Sequence, residues 1–253
     1  MLNIVIPMAG AGSRFAQAGY TIPKPLIPVS GVPMIRLVIE NMRPARPHRF
    51  IFICQQAHIE AYGLEQKLVL WGGDKTVVIG IDGVTAGAAC TVLTGKVHID
   101  NEDPMMIVNS DQWCDVDIND YLAKMATERL DGMIMTMTAN DPKWSFVGLN
   151  ASDRVISVVE KQVISDEATV GVYNFRRGAD FVRASEAMIA ASERVNNEFY
   201  VAPVYNRLIG EGQQVGIFNI GAEAAGMYGL GIPADLELFK SLPALEKALA
   251  PCL

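Results

Sequence analysis

Residues 2–15 read Leu2-Asn3-Ile4-Val5-Ile6-Pro7-Met8-Ala9-Gly10-Ala11-Gly12-Ser13-Arg14-Phe15. A short apolar run, Leu2–Met8, that stops in Gly10 and Gly12 is how a strand buried on both faces of a parallel sheet ends. The same alternation continues. Helix is expected over Pro33–Met42, His58–Leu70 and Ala86–Leu93, the last begun by Thr85. Strands are expected at Phe50–Cys54, Thr76–Ile81, Met105–Asn109 and Gly132–Thr138. Asp117 or Asn119 caps a helix that runs through Ala126. Residues 1–138 therefore read as βαβ units: a Rossmann-like, mostly parallel sheet with helices on both faces.

After Asp141-Pro142 the texture changes. Trp144–Leu149, Val155–Glu160 and Val170–Phe175 are strand-like and separated by turn residues. Helices are expected at Ala179–Ala191, Phe199–Ile209, Ala234–Lys240 and Leu242–Ala250, with a late strand at Val215–Phe218. This half adds antiparallel strands on the substrate side. No linker, repeat or low-complexity stretch interrupts the chain. The reading is one domain over 1–253: a first half at 1–138, a second half at 139–240 and a helical tail at 241–253.

The chain has 253 residues, 50% of them hydrophobic and 19% charged. That length suggests roughly 1.7 domains and about three-quarters of the unfolded surface buried, so neither disulfides nor a metal staple is needed. Lys plus Arg is 21 and Asp plus Glu 28, a net charge of −7. The pI is near 5.0. An acidic surface argues against nucleic acid as the main partner, because phosphate backbones need a positive field. No apolar run has the 18–20 residues of a spanning helix, and the N-terminus lacks a basic leader region. Cys54, Cys90, Cys114 and Cys252 are scattered without a CxxC and read as reduced thiols of a cytoplasmic protein. His48, His58 and His98 carry no chemistry in this reading.

In open α/β sheets ligands bind beyond the carboxyl ends of the strands. Residues 9–25, 82–88, 110–115 and 139–145 are therefore the places to look for a site. Gly10 and Gly12 let backbone approach an anion closely. The third glycine of the dinucleotide fingerprint is absent, with Phe15 in its place, and there is no GxxxxGK[ST]. Arg14 and the Pro23-Lys24-Pro25 frame put two cations on one loop, which suits a polyphosphate.

These residues carry a resemblance. G-x-G-x-R-F over 10–15, then P-K-P-L-I-P-V-x-G-x-P-M-I over 23–35, is similar to the N-terminal signature of the sugar-phosphate nucleotidyltransferases, or NDP-sugar pyrophosphorylases. The resemblance implies a GT-A-like fold and transfer of a nucleotidyl group from a nucleoside triphosphate to a phosphorylated acceptor. It implies that Ala9, Gly10, Gly12, Ser13 and Arg14 hold the triphosphate and that Lys24 meets the reacting phosphates. Thr85, Gly87 and Ala88 would pack on the nucleobase, although Val84 and Ile81 replace the family's Gly and Gln. Asp111, ending Ile107-Val108-Asn109-Ser110-Asp111, would hold Mg²⁺. A carboxylate at a strand's end is a suitable hard ligand.

In the later half, Val158-Val159-Glu160-Lys161 resembles the family's V-x-E-K, in which Glu binds sugar hydroxyls and Lys binds the acceptor's phosphate. Adjacent strand residues face opposite ways, so both serve one site only at a strand end. Gly171 stands where the family's strand approaches the sugar, with Thr169 and Val170 in place of Asn and Ala. Asn197-Glu198-Phe199-Tyr200 is similar to the G-E-F-Y that opens the next helix. Trp144 has two readings, acceptor pocket or core.

The family often ends in W-x-D-x-G-T-P-E-D-L, with its first Asp the second metal ligand. Here Gly229 takes that place and Asp235 matches the later Asp, read as a helix cap. Three accounts stay open: Asp111 with water suffices, another carboxylate such as Glu223 contributes, or catalysis is compromised. The last gives a second class, a nucleotide-binding regulatory relative. A third class, a glycosyltransferase, would use Asp115-Val116-Asp117 as a D-x-D motif. Otherwise Asp115 and Asp117 read as turn and cap residues. The acceptor would be a hexose 1-phosphate, a heptose phosphate or a non-sugar phosphate such as phosphocholine. Family habit implies surface-polysaccharide biosynthesis and a homo-oligomer.

Overall fold

Leu2, Ile4, Val5 and Ile6 have no exposed surface, because the first strand, β1 (Leu2–Pro7), has parallel partners on both sides. A computed structural model describes residues 1–252. After β1 come a one-and-a-half-turn helix α1 (Ser13–Gln17), a 3-10 turn at Lys24–Leu26, and the small hairpin β2 (Pro28–Val29) and β3 (Val32–Pro33). The order then runs α2 (Met34–Asn41), β4 (His48–Gln55), α3 (Gln56–Tyr62), α4 (Leu64–Gly72), β5 (Val77–Ile81), α5 (Ala88–Leu93), α6 (Lys96–Ile99) and β6 (Met105–Val108). β5, β4, β1 and β6 lie side by side, all parallel.

Beyond β6 the sheet becomes mixed. The remaining elements are β7 (Gln112–Cys114), α7 (Ile118–Thr127), β8 (Gly132–Thr138), β9 (Ser145–Leu149), β10 (Val155–Glu160), β11 (Glu167–Phe175), α8 (Gly178–Ala190), α9 (Tyr205–Gly210), β12 (Val215–Glu223), β13 (Gly226–Gly229), α10 (Pro233–Lys240) and α11 (Ala244–Leu249). The full order is β5-β4-β1-β6-β11-β8-β12-β13-β7, with the β9–β10 hairpin attached to β11. β8 therefore does not lie next to β6, as a plain run of βαβ units would have it. β11 enters between them, antiparallel to both.

Several expected boundaries move for local reasons. One helix over 58–70 becomes two, because Gly63 adopts a left-handed φ of 56° between α3 and α4. The helix expected to follow Thr85 starts only at Ala88, since Gly87 is at φ 133°. The helix expected from Phe199 starts at a 3-10 turn, Ala202–Val204. Residue 199 is instead bonded to the preceding segment: Phe199 N–H donates to the Ala86 carbonyl and Ala89 N–H to the Phe199 carbonyl. Strands β7 and β13, of three and four residues, are absent from the sequence reading. Asp117, not Asn119, caps α7 by accepting from the Asn119 amide at 2.8 Å.

Alternation along β1 sends Leu2, Ile4 and Ile6 to one core, with α2, α4 and α7, and Val5 to the other, with α5 and α8. A third cluster joins Phe15, Ile27, Met34, Trp113, Leu236 and Phe239. It sets the Lys24 turn and the α10 start on the same foundation. The four cysteines are unpaired, with Cys54, Cys114 and Cys252 buried. Burial pushes the Cys54 and Cys114 thiols up to about 12. Among the described residues no helix is long and apolar enough to cross a membrane.

Candidate active site

Three cavities open beyond the carboxyl ends of the parallel strands, and Asn109, just past β6, lines all three. The first, about 360 Å³, brings together Ala9, Gly10, Thr85, Gly87 and Ala88, with Glu198 added. Gly12 and Ser13 lie outside its lining: Gly12 caps α1 at φ 61°. Its absent side chain leaves Lys24 Cβ 3.5 Å from where a Cβ would stand. The Thr85 hydroxyl is used internally, within 2.9 Å of the Gly87 carbonyl and 2.6 Å of the Thr91 hydroxyl. It shapes the turn.

The second cavity, about 280 Å³, is lined by Arg14, Asp111, Lys143, Trp144, Gly229 and Asp235 among others. Lys24 Nζ donates to Asp111 Oδ2 at 2.7 Å. The Asp111 carbonyl accepts from Leu230 N–H at 2.8 Å, which fastens the 229–235 segment beside it. Asp235 is not a cap: it is the third residue of α10, and no side chain caps that helix. Its carboxylate reaches the space Gly229 leaves open, with Asp235 Oδ2 3.3 Å from where a Gly229 Cβ would lie. Gly231 likewise leaves room for Asp111, whose Oδ2 is 2.8 Å from a Cβ built there. Burial pushes the Asp235 carboxyl above its usual range, Lys143 and Arg14 oppose this, and Glu223 and Asp111 add to it. Those charges identify its neighbours.

Glu223, an open candidate from sequence, is engaged instead by Lys143 at 2.9 Å. Burial works to lower the Lys143 pKa, but the Glu223 contact outweighs it and the ammonium is held above its usual range. Lys143 also lies 4.9 Å from the centre of the Trp144 ring. Trp144 is thus at the cleft and also packs against the core.

The third cavity, about 190 Å³, is lined by Glu160, Ser145, Thr169, Gly171, Tyr173 and Tyr200 among others. Glu160 ends β10, is 9% exposed and accepts from the Ser145 hydroxyl. Burial raises its carboxyl above the ordinary range. Lys161 turns left-handed at φ 56° where the strand stops, and it reaches the cavity only through Tyr200, not as part of its lining. Lys161 Nζ donates to the Tyr200 hydroxyl at 2.7 Å. Gly171 lines the cavity, but glycine is demanded there by the protein itself. At φ 85° a side chain would crowd Asn109 and come 2.8 Å from Gln112 Oε1.

The D-x-D pair does not reach this cleft. Asp115 is paired with Lys247, and Asp117 caps α7. Among the described residues no three His, Cys, Asp or Glu side chains converge as a metal cage. Asp111 and Asp235 on one cavity wall still fit Mg²⁺, which takes one or two carboxylates and keeps water and phosphate oxygens as its other ligands.

A model of the nucleotidyl transferase family matches residues 4–217. The chain belongs to that family. It is 26% identical to the catalytic subunit beta of mannose-1-phosphate guanylyltransferase from Danio rerio over 182 residues, 69% of this chain and 49% of that protein. It is 23% identical to the bifunctional protein GlmU of Cupriavidus metallidurans over 245 residues, 94% of this chain and 50% of the relative. The chain thus spans about half the length of these curated relatives. The crystal structure of a nucleoside-diphosphate-sugar pyrophosphorylase from Vibrio cholerae RC9 superposes with a TM-score of 0.79 at 26% identity, covering 94% of this chain and all of that one. An inositol-1-phosphate CTP transferase from T. maritima shares the fold at a TM-score of 0.75 and 14% identity, covering 98% of this chain and 95% of that one.

Proposed function

We propose that this family member is an enzyme that moves a nucleotidyl group from a nucleoside triphosphate to a phosphorylated acceptor, a sugar 1-phosphate being the reading favoured. The observation that supports this is that the cavity of Arg14, Asp111 and Asp235, with Lys24 paired to Asp111, adjoins through Asn109 both the cavity of the glycine turn and the cavity of Glu160.

A phosphate oxygen of the acceptor attacks the α-phosphorus, a new P–O bond forms, the α–β bridge breaks and pyrophosphate leaves. The protein's contribution is positioning and charge neutralisation. Ala9 and Gly10 give the base and triphosphate close access to backbone, with Gly12 and Ser13 at the α1 turn. Thr85, Gly87 and Ala88 flank the base. Arg14 neutralises the departing phosphates. Lys24, held beside Asp111, turns its ammonium from that carboxylate towards the α-phosphoryl oxygens as charge builds there. Glu160 accepts from sugar hydroxyls, Gly171 keeps the wall low, and Lys161 draws in the acceptor's phosphate. Mg²⁺ held by Asp111 and Asp235 would supply phosphate neutralisation and polarisation.

The regulatory reading rested on Gly229. Asp235 beside that position weakens it, and the engagement of Asp115 and Asp117 elsewhere weakens the glycosyltransferase reading. One domain of two halves, making sugar nucleotides in the cytoplasm, fits the single shared sheet. The relatives differ in base, guanylyl in one and CTP in another. The test is a thermal-shift panel of ATP, GTP, CTP, UTP and dTTP with and without Mg²⁺, followed by pyrophosphate release with hexose 1-phosphates, a heptose phosphate and phosphocholine. Magnesium-dependent stabilisation by one triphosphate, with pyrophosphate released only when an acceptor is added, is expected. Binding without release from any acceptor would replace this reading with the regulatory one.

A further inference from the structure

At the end of the sheet opposite the cleft, where β1, β6 and β8 begin and β11 ends, lies a cavity of about 500 Å³. It is larger than any of the three compartments of the cleft. Its walls are apolar side chains of the first core, Leu2, Leu122, Met125 and Leu130. Arg46, Arg129 and Arg176 also line it. Arg176 leans on Asp131 at 3.3 Å, whereas the guanidiniums of Arg46 and Arg129 form no ion pair or hydrogen bond among the described residues.

Acidic groups near this end are already engaged. Asp131 also accepts from Gln214 N–H at 2.9 Å, and Asp103 holds the N-terminal ammonium at 2.8 Å. The local field is therefore positive on a chain whose net charge is −7. Asn174 is a polar residue of the same wall. It is 2% exposed, and its alternation with Val172 on β11 directs it to the first core's side, where it lines the cavity. Its backbone carbonyl is taken by the Tyr205 hydroxyl at 2.8 Å, but its Oδ1 has no partner. That oxygen is itself closed off from solvent, so it lies behind the cavity wall. Apolar walls with a few convergent polar groups are the usual make-up of a small-molecule site.

We propose that this cavity binds a small organic anion. Its phosphate or carboxylate meets Arg46 and Arg129, and its apolar body packs on Leu122, Met125 and Leu130. Guanidinium forks suit either oxyanion. The site is independent of the nucleotide cleft and shares no residue with it.

A suitable probe is 1-anilinonaphthalene-8-sulfonate, which has an anionic head and an aromatic body. Fluorescence titration of the native chain is expected to show one saturable site. The Arg46→Gln, Arg129→Gln double variant should weaken it at least tenfold, and Ala126→Trp, an exposed position on the cavity's helix, should block it by filling the space. Arg14→Gln with Lys24→Gln, in the cleft, should leave it unchanged. Competition with phenyl phosphate and with phenylacetate then identifies the head group by which of them displaces the probe. Absence of saturable binding, equal binding to the rim variant, loss in the cleft variant, or displacement by neither competitor would overturn the proposal.

Discussion

Lys24 and Asp111, 87 positions apart in the chain, form an ion pair of 2.7 Å at the centre of the cleft. Each is the other's counter-ion until substrate arrives. In the proposed reaction each would be released when phosphate and Mg²⁺ supply new partners.

Replacing either residue by Ala should therefore damage chemistry far more than folding. Lys24→Ala and Asp111→Ala are each expected to reduce pyrophosphate release by about 100-fold or more. A part-exposed pair contributes only about 0–1 kcal/mol to stability, so melting temperatures should fall by no more than about 4 °C. Comparable turnover in both variants would remove these residues from the reaction.

Asp235 should behave as a metal ligand in a binding experiment as well as in an assay. Calorimetric titration of Mg²⁺ in the presence of triphosphate should show affinity reduced about tenfold in Asp235→Ala, on the scale of lost metal-site interactions. Adding Gly229→Asp to that variant returns a carboxylate to the same space, so affinity should recover. No loss in the single variant would leave Asp111 as the sole carboxylate ligand.

Glu160 gives a pH signature. Its carboxyl is raised by burial, so the stability it contributes is present below the unfolded value near 4.5 and is lost as pH rises through the folded one. Glu160→Gln is therefore expected to melt higher than the parent at neutral pH, with the gap closing as pH falls towards 4.5. The same variant should raise the KM for a sugar phosphate more than for the triphosphate. A gap that widens on acidification would contradict the burial argument.

Gly87 is the point where the Thr85–Ala88 turn meets the later half of the chain. At φ 133°, a Cβ there would lie 2.5 Å from the Phe199 backbone nitrogen and carbonyl oxygen. Gly87→Ala should cost about 1–3 kcal/mol from backbone strain alone and weaken triphosphate binding together with stability. Gly10→Ala, where a Cβ meets nothing within 4 Å, is the control expected to melt like the parent.

The parallel core was legible because β1, β4 and β6 are short apolar runs buried on both faces, a pattern that few other structures produce. Strands β7 and β13 were not, since three or four residues carry no period. Arg14 and Lys24 stood out through the glycines and prolines that frame them, and Asp111 through its place after an apolar strand; the structure brings the three to one cleft. Asn109 was missed by one position: it lies on the last residue of an apolar run and just before the segment 110–115 that was singled out. Asp235 was misread because an Asp at a helix start is ordinarily a cap. Its true direction depends on the missing side chain of Gly229, a neighbour across the fold that no local pattern encodes.

The insertion of β11 between β6 and β8 has a consequence for how the chain is made. β11 begins at Glu167, roughly 60 residues after β6 ends at Val108, which is several seconds of translation at about 5–20 residues per second. During that interval β6 has its β1 side paired and its other edge bare, with Met106 and Val108 ready for any passing strand. A nascent chain halted near residue 138 would carry Arg14, Lys24 and Asp111 and still have nowhere to seat β8. Truncation there should yield a chaperone client, not a small nucleotide-binding protein.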